Sequence, residues 1–113
     1  DGTCIRDYIH VQDLALAHVC ALDYLLDTPT KLAFNVGTGT GLSVLQIINS
    51  FQEVNDIKVN YSIGPRRKGD VSAIYSNGNL IKNILGWEPI KSIEEALVSA
   101  WKWQNSKIPF QNF

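Results

Sequence analysis

The densest group of chemically capable side chains is Arg66-Arg67-Lys68-Gly69-Asp70, which follows Pro65. Two guanidiniums and an ammonium stand together in a chain whose formal net charge is −1. Guanidinium forks match phosphate oxygens bidentately, and a neighbouring carboxylate accepts hydrogen bonds from sugar hydroxyls. A loop bearing both could grip a nucleoside diphosphate at its phosphates and its ribose. It could equally be a solvated basic turn in which Asp70 pairs with an arginine, and composition does not choose between the two. Arg6-Asp7-Tyr8 repeats the theme more sparsely, and by itself it reads as an ion pair beside a packed tyrosine.

The remaining candidates read as structural. Gly37-Thr38-Gly39-Thr40-Gly41 lacks the glycine spacing of a dinucleotide-binding fingerprint, and no acidic residue ends the next strand candidate. It is expected to be a tight strand-to-helix turn using the freedom of glycine at positive φ, not an NAD site. His10 and His18 have no ligand-like neighbours at useful spacing. Glu94 and Glu95 are adjacent, so on a helix they do not face each other as an acid/base pair. Cys4 and Cys20 read as buried or half-buried free thiols, and Trp87, Trp101 and Trp103 as packing residues. No nucleophile–base constellation is present, and no cysteine or histidine cluster suggests a metal.

These residues need elements to hold them. Of the 113 residues 45% are hydrophobic, enough for one modest domain spanning 1–113. The near-neutral charge argues against a nucleic-acid or membrane-surface binder. No apolar run reaches bilayer length, and the cytoplasm is the expected compartment. Tyr8 to Val11 reads as a short extended stretch. Leu14, Ala17, Ala21, Leu22 and Leu25 then mark one apolar face of a helix at about 12–26, limited by Pro29.

Leu32 to Val36 reads as a short buried strand, and Val59 to Ile63 alternates like a second one. Ser43 with Gln46, and Ser92 with Glu95, are capping boxes opening two further helices. Between them Asn77 is placed to cap a short helix containing Leu80, Ile81 and Ile84, with Gly86 at its end. The last helix should carry Ile93, Ala96, Leu97, Ala100 and Trp101 on one face, and the tail after Ser106 should fray. The expected class is α/β, with helices outnumbering short strands. The chain opens on Asp1-Gly2-Thr3 and contains no Met, which suggests a piece of a longer protein.

Asp1-Gly2-Thr3-Cys4-Ile5-Arg6-Asp7-Tyr8-Ile9-His10-Val11 with Asp13-Leu14-Ala15 resembles a signature of UDP-glucose 4-epimerases, in the extended short-chain dehydrogenase/reductase superfamily. Further blocks follow in order: Phe34-Asn35-Val36-Gly37-Thr38-Gly39, Ser43-Val44-Leu45, Arg66 to Asp70, Leu85-Gly86-Trp87 and Trp101-Lys102-Trp103-Gln104. The resemblance implies the small C-terminal substrate-binding domain of such an enzyme. In those epimerases a bound NAD takes hydride from C4 of the hexose and returns it to the other face of the 4-keto sugar. The NAD loop and the Tyr-x-x-x-Lys pair belong to the N-terminal Rossmann domain. No Tyr-x-x-x-Lys occurs here, so this piece alone is expected to be inactive and to bind no cofactor.

The resemblance further implies that Arg6 and Arg67 clasp the UDP diphosphate and that Asp70 receives the ribose hydroxyls. Lys68 and Gly69 would shape the loop, Tyr8 would lie near the nucleotide, and Arg66 would stand aside. Four residues past the loop aspartate, the family carries a large aromatic or a smaller residue facing the hexose. Ile74 occupies that position, which implies a pocket of intermediate size that admits N-acetylhexosamines. The UDP-sugar is then the partner. A homodimer is implied for the parent, and non-native self-association for the piece. The alternatives are another nucleotide-sugar dehydratase or decarboxylase, or a non-catalytic UDP-sugar-binding module.

Overall fold

Local capping chemistry sets three of the four helix starts, in a computed structural model that describes residues 1–106. The expected fraying after Ser106 lies outside the described residues. Helix α1 spans Val11–Asp27, and His10 is its N-cap, with Nδ1 accepting from the Gln12 N–H at 3.0 Å. Because Nδ1 is an acceptor, the proton of the neutral ring sits on Nε2, which donates to Ser99 Oγ at 3.0 Å. The Ser99 hydroxyl in turn donates to Ala96 O at 2.9 Å.

Helices α2 (Val44–Asn55) and α4 (Ile93–Asn105) open on the complete capping boxes of Ser43/Gln46 and Ser92/Glu95, as expected. Helix α3 covers Asn79–Leu85 and closes on Gly86. Its N-cap position is Gly78, not Asn77. Asn77 Oδ1 accepts from the Asn79 N–H one residue further out, which makes a side-chain turn ahead of the helix.

The strands fall elsewhere than the alternation suggested. β1 is Ile5–Asp7, β2 is Gly41–Ser43 and β3 is Ala73–Ile74, in the sheet order β2-β1-β3. β2 runs antiparallel to β1 (Arg6 opposite Leu42) and β3 parallel to it (Arg6 opposite Ile74). The expected extended stretch of Tyr8 to Val11 is therefore displaced toward the N-terminus, because the His10 cap already starts the helix at Val11. Leu32 to Val36 and Val59 to Ile63 are not strands. Phe34 and Val36 pack against the core, so their alternation reports burial without a pairing partner. Val59 is tied instead to α2, its N–H donating to Gln52 Oε1 at 2.9 Å. Among the described residues, four helices against three short strands keep the α/β class.

The core is Ala17 of α1, Ile81 of α3 and Trp87, with Ile9, Cys20, Phe34, Val36 and Leu85 packed around them. A second contact joins α2 to α4 through Phe51 and Trp101, edge to face at 5.6 Å. Trp103, expected to pack, is largely exposed. The radius of gyration is 17.1 Å, against about 13 Å for a compact domain of similar length. The excess has a visible counterpart on α1. Its inner face buries Ala17 and Asp13, while Val11, Ala15, Val19, Leu22 and Leu26 form an outer stripe at helical spacing, with Leu22 62% and Leu26 83% exposed. Leu22 and Leu25, expected on the inner face, turn outward.

Two carboxylates join elements that are distant in sequence. Asp13 is buried, and its Oδ2 accepts from the Ile90 and Lys91 N–H groups at 3.1 and 2.9 Å, fastening α1 to the approach of α4. Asp7 accepts five hydrogen bonds. Oδ1 takes the Thr38 N–H and hydroxyl at 2.8 and 2.6 Å. Oδ2 takes the Gly39 N–H at 3.0 Å and the Ser76 N–H and hydroxyl at 3.0 and 2.9 Å. Gly37 makes room for this: a Cβ there would land on both Asp7 Oδ2 and Ser76 Oγ. Burial pushes the Asp7 carboxyl up, but the bonds from Thr38, Ser76 and Gly39 outweigh it and hold the group down at about 2, from 3.8.

Two stability effects follow from these carboxylates. Asp13→Ala strands two backbone donors and lowers the free energy of urea unfolding by about 3 kcal/mol. The depressed Asp7 carboxyl stabilises the fold fully above about pH 4, and the contribution falls away as pH drops toward about 2. Acid titration followed by urea unfolding should lose about 2 kcal/mol over that window, and Asp7→Asn should remove that part of the slope.

Candidate functional site

The basic loop closes on itself through Asp70. The Asp70 N–H donates to Arg67 O at 3.3 Å, and Gly69 between them sits at φ +90°, in the left-handed region that glycine tolerates. Arg67 Nε and Nη2 then reach Asp70 Oδ2 and Oδ1 at 3.1 and 3.4 Å. The side chains are 86% and 22% exposed, so this ion pair is one that water and salt screen. Such pairs contribute about 0–1 kcal/mol, and an incoming anion displaces the carboxylate at little cost. Arg66 turns the other way, with Nη2 3.4 Å from Gly2 O. Arg66, Arg67 and Asp70 line a cleft of about 320 Å³ shared with Gly2, Val44 and Tyr61.

Arg6 is held more firmly. Its Nη1 donates to Ile5 O at 2.7 Å and to Val71 O at 2.9 Å, the residue after Asp70. The Ile5 N–H donates to Ser72 O at 2.9 Å, so β1 grips the loop's exit at two successive residues. Arg6, Ile74, Asp7 and Ser76 border a cavity of about 650 Å³, and Ile74 is 57% exposed.

The structure thus brings Arg67 and Asp70 together in one cleft, sets Arg6 with Ile74 in a neighbouring cavity, and links the two through Val71. Tyr8 is not among them. It lines a separate groove of about 600 Å³ with His10, Leu97, Ser99 and Trp103, between the start of α1 and α4. Lys68 lines none of these spaces and sits at an exposed turn.

Asp7 and Ser76 were missed in the sequence reading. The only local signal was the carboxylate beside Arg6, which reads as an ion pair. Asp7 instead spends its oxygens on backbone and hydroxyl donors.

The glycine turn does not fit a dinucleotide. The Thr38 and Gly39 N–H groups, the donors that would face a pyrophosphate, are taken by Asp7. Among the described residues no group of three or more His, Cys, Asp or Glu side chains is placed to hold a metal ion. No described helix is long and apolar enough to cross a membrane. Cys4 and Cys20 are half-buried free thiols.

No family model matches the chain. Individual proteins do. The UDP-glucose 4-epimerase of Bacillus subtilis is 43% identical over 108 residues, covering 96% of this chain and 32% of its own length. Among solved structures, UDP-glucose 4-epimerase from Stenotrophomonas maltophila, with bound NAD and formylated UDP-arabinopyranose, superposes with a TM-score of 0.88 at 42% identity. That match covers 92% of this chain and 31% of the other. The Bifidobacterium longum enzyme, in complex with NAD+ and UDP, gives a TM-score of 0.81 at 37% identity over 95% of this chain and 32% of its own. The chain spans about a third of the length of the curated relatives it matches. In sequence and in fold it is similar to the C-terminal part of UDP-glucose 4-epimerases.

Proposed function

We propose that the chain supplies the UDP-sugar-binding part of an NAD-dependent epimerase that interconverts UDP-glucose and UDP-galactose at C4 through a 4-keto sugar. The observation that carries this reading is the linkage of Arg6 to the Arg67–Asp70 loop through Val71, on a chain that matches those epimerases throughout. Arg6 is fixed by two carbonyls through one nitrogen, and its other donors are left for a phosphate. Arg67 exchanges its weak bond to Asp70 for the diphosphate, and the freed carboxylate accepts the ribose hydroxyls. Gly69 gives the loop its turn, and Lys68 adds long-range attraction for the anion. Tyr8 has the weakest case, because it opens on a different groove.

Holding the unreactive UDP end leaves the hexose free to turn over without escaping, so binding energy away from the reacting carbon secures position and retention. NAD and the acid/base pair are assigned to a Rossmann domain outside this chain. The outer stripe of α1 supports such a neighbour: a helix apolar on both faces is suited to burial on both. In this reading the parent is a cytoplasmic homodimer of galactose metabolism. A dehydratase or decarboxylase on the same scaffold is separated from it by the product formed.

The full-length parent should convert UDP-galactose to UDP-glucose in a coupled assay; absence of turnover there excludes the epimerase. Arg67→Ala and Asp70→Ala should each raise KM for UDP-galactose about 10- to 100-fold with a smaller change in kcat, as expected for loss of an anchoring charged hydrogen bond. Arg66→Ala should leave KM within about twofold. Ile74 leaves a hexose pocket that admits UDP-N-acetylglucosamine, and Ile74→Tyr should suppress that activity about tenfold or more while sparing UDP-galactose. Failure of the unsubstituted enzyme to use the N-acetylated sugar would remove this specificity assignment.

A further inference from the structure

We infer that Asp7 is a positioning residue for the nucleotide-sugar site, fixing the Ile74–Asn77 segment against Arg6 through Ser76. This rests on the reading of that site as a UDP-sugar site. The pairing of β1 with β3 spans only Ile5 with Ala73 and Arg6 with Ile74, and a ladder of two residues is too short to fix its own register. Beyond Ile74 the chain would be free to swing. It is stopped two residues on, where the Ser76 N–H and hydroxyl both donate to Asp7 Oδ2 at 3.0 and 2.9 Å. The Asp7 side chain therefore prolongs the pairing past the point where the backbone ladder ends. Ile74 and Ser76 border the same cavity as Arg6, so this anchorage sets the distance between the cationic side of the site and its sugar-facing wall.

The other oxygen anchors Asp7 itself. Oδ1 takes the Thr38 N–H and hydroxyl at 2.8 and 2.6 Å, on the turn whose Gly39 N–H also reaches Oδ2. Five donors on a carboxylate with about four acceptor directions leave none for a substrate proton or a sugar hydroxyl. Asp7 is thus excluded as a general base or a direct ligand. The donors divide the labour: the Thr38–Gly39 turn holds Asp7 through three bonds, and Asp7 holds the wall through Ser76.

This division gives a test with a readout that general destabilisation does not reproduce. In the full-length parent, Ser76→Ala, Ser76→Thr and Thr38→Val are compared by melting temperature, by UDP affinity in calorimetry and by KM and kcat for UDP-galactose. Ser76→Ala is expected to weaken UDP affinity and raise KM about five- to tenfold, with kcat within about twofold. Ser76→Thr, which keeps the hydroxyl, is expected to restore both. Thr38→Val leaves Asp7 held by the Thr38 and Gly39 N–H groups, so it is expected to lower the melting temperature as much as Ser76→Ala while leaving KM within about twofold. Equal KM changes in Ser76→Ala and Thr38→Val, or none in either, would overturn the assignment of Asp7 while leaving the site standing. Absence of UDP binding by the unsubstituted parent would overturn the site, and the assignment with it.

Discussion

Five hydrogen-bond donors converge on the Asp7 carboxylate, and the arrangement of the sheet depends on their doing so. They come from Thr38, Gly39 and Ser76, which lie 31, 32 and 69 positions away in sequence. β1 is three residues long and β3 is two, lengths at which ladder bonds alone give little stability. Charge-assisted bonds to one half-buried carboxylate are stronger than the neutral bonds they supplement. The sheet is in effect cross-braced at one atom pair, and the turn before β2 and the segment after β3 meet there.

The site beside that brace has a graded stiffness. Arg6 is bonded to two carbonyls and belongs to the braced sheet. Arg67 and Asp70 belong to an exposed turn and, among the described residues, their side chains hold one another. On the proposed reading, a nucleotide would meet one preset guanidinium and one that exchanges partners on arrival. The resting ion pair keeps the loop's charges mutually satisfied, which limits non-specific attraction by a cationic cluster in an otherwise near-neutral chain.

The helices were legible in the sequence because their signals are local. Ser43/Gln46 and Ser92/Glu95 satisfy backbone donors within three residues, so no distant partner was needed to recognise them. Strands require a partner, and the partner is not written next to them. Gly41–Ser43 reads as a turn and cap, yet it pairs with β1; Val59 to Ile63 has the alternation of a strand, yet it forms none among the described residues. The site divides the same way. Arg67 and Asp70 could be picked out because they are three residues apart. Asp7 and Ser76 could not, because their meeting is a property of the fold. The outward turn of Leu22 and Leu25 has a related cause: spacing identifies an apolar face without saying which side of the helix the rest of this chain will cover.

Gly37 carries an unusual mutational constraint for a residue that contacts nothing through a side chain. The point where its Cβ would sit is claimed by Asp7 Oδ2 and Ser76 Oγ. Those atoms are side-chain tips, which ordinarily yield, but here each is committed to the brace. Every replacement adds a carbon at that same point, so alanine has no advantage over a larger residue in its first clash. The position has no conservative substitute. A tolerance profile graded by side-chain size would fit the surface around it and fail at this one codon, where the response is set by the presence of a single atom.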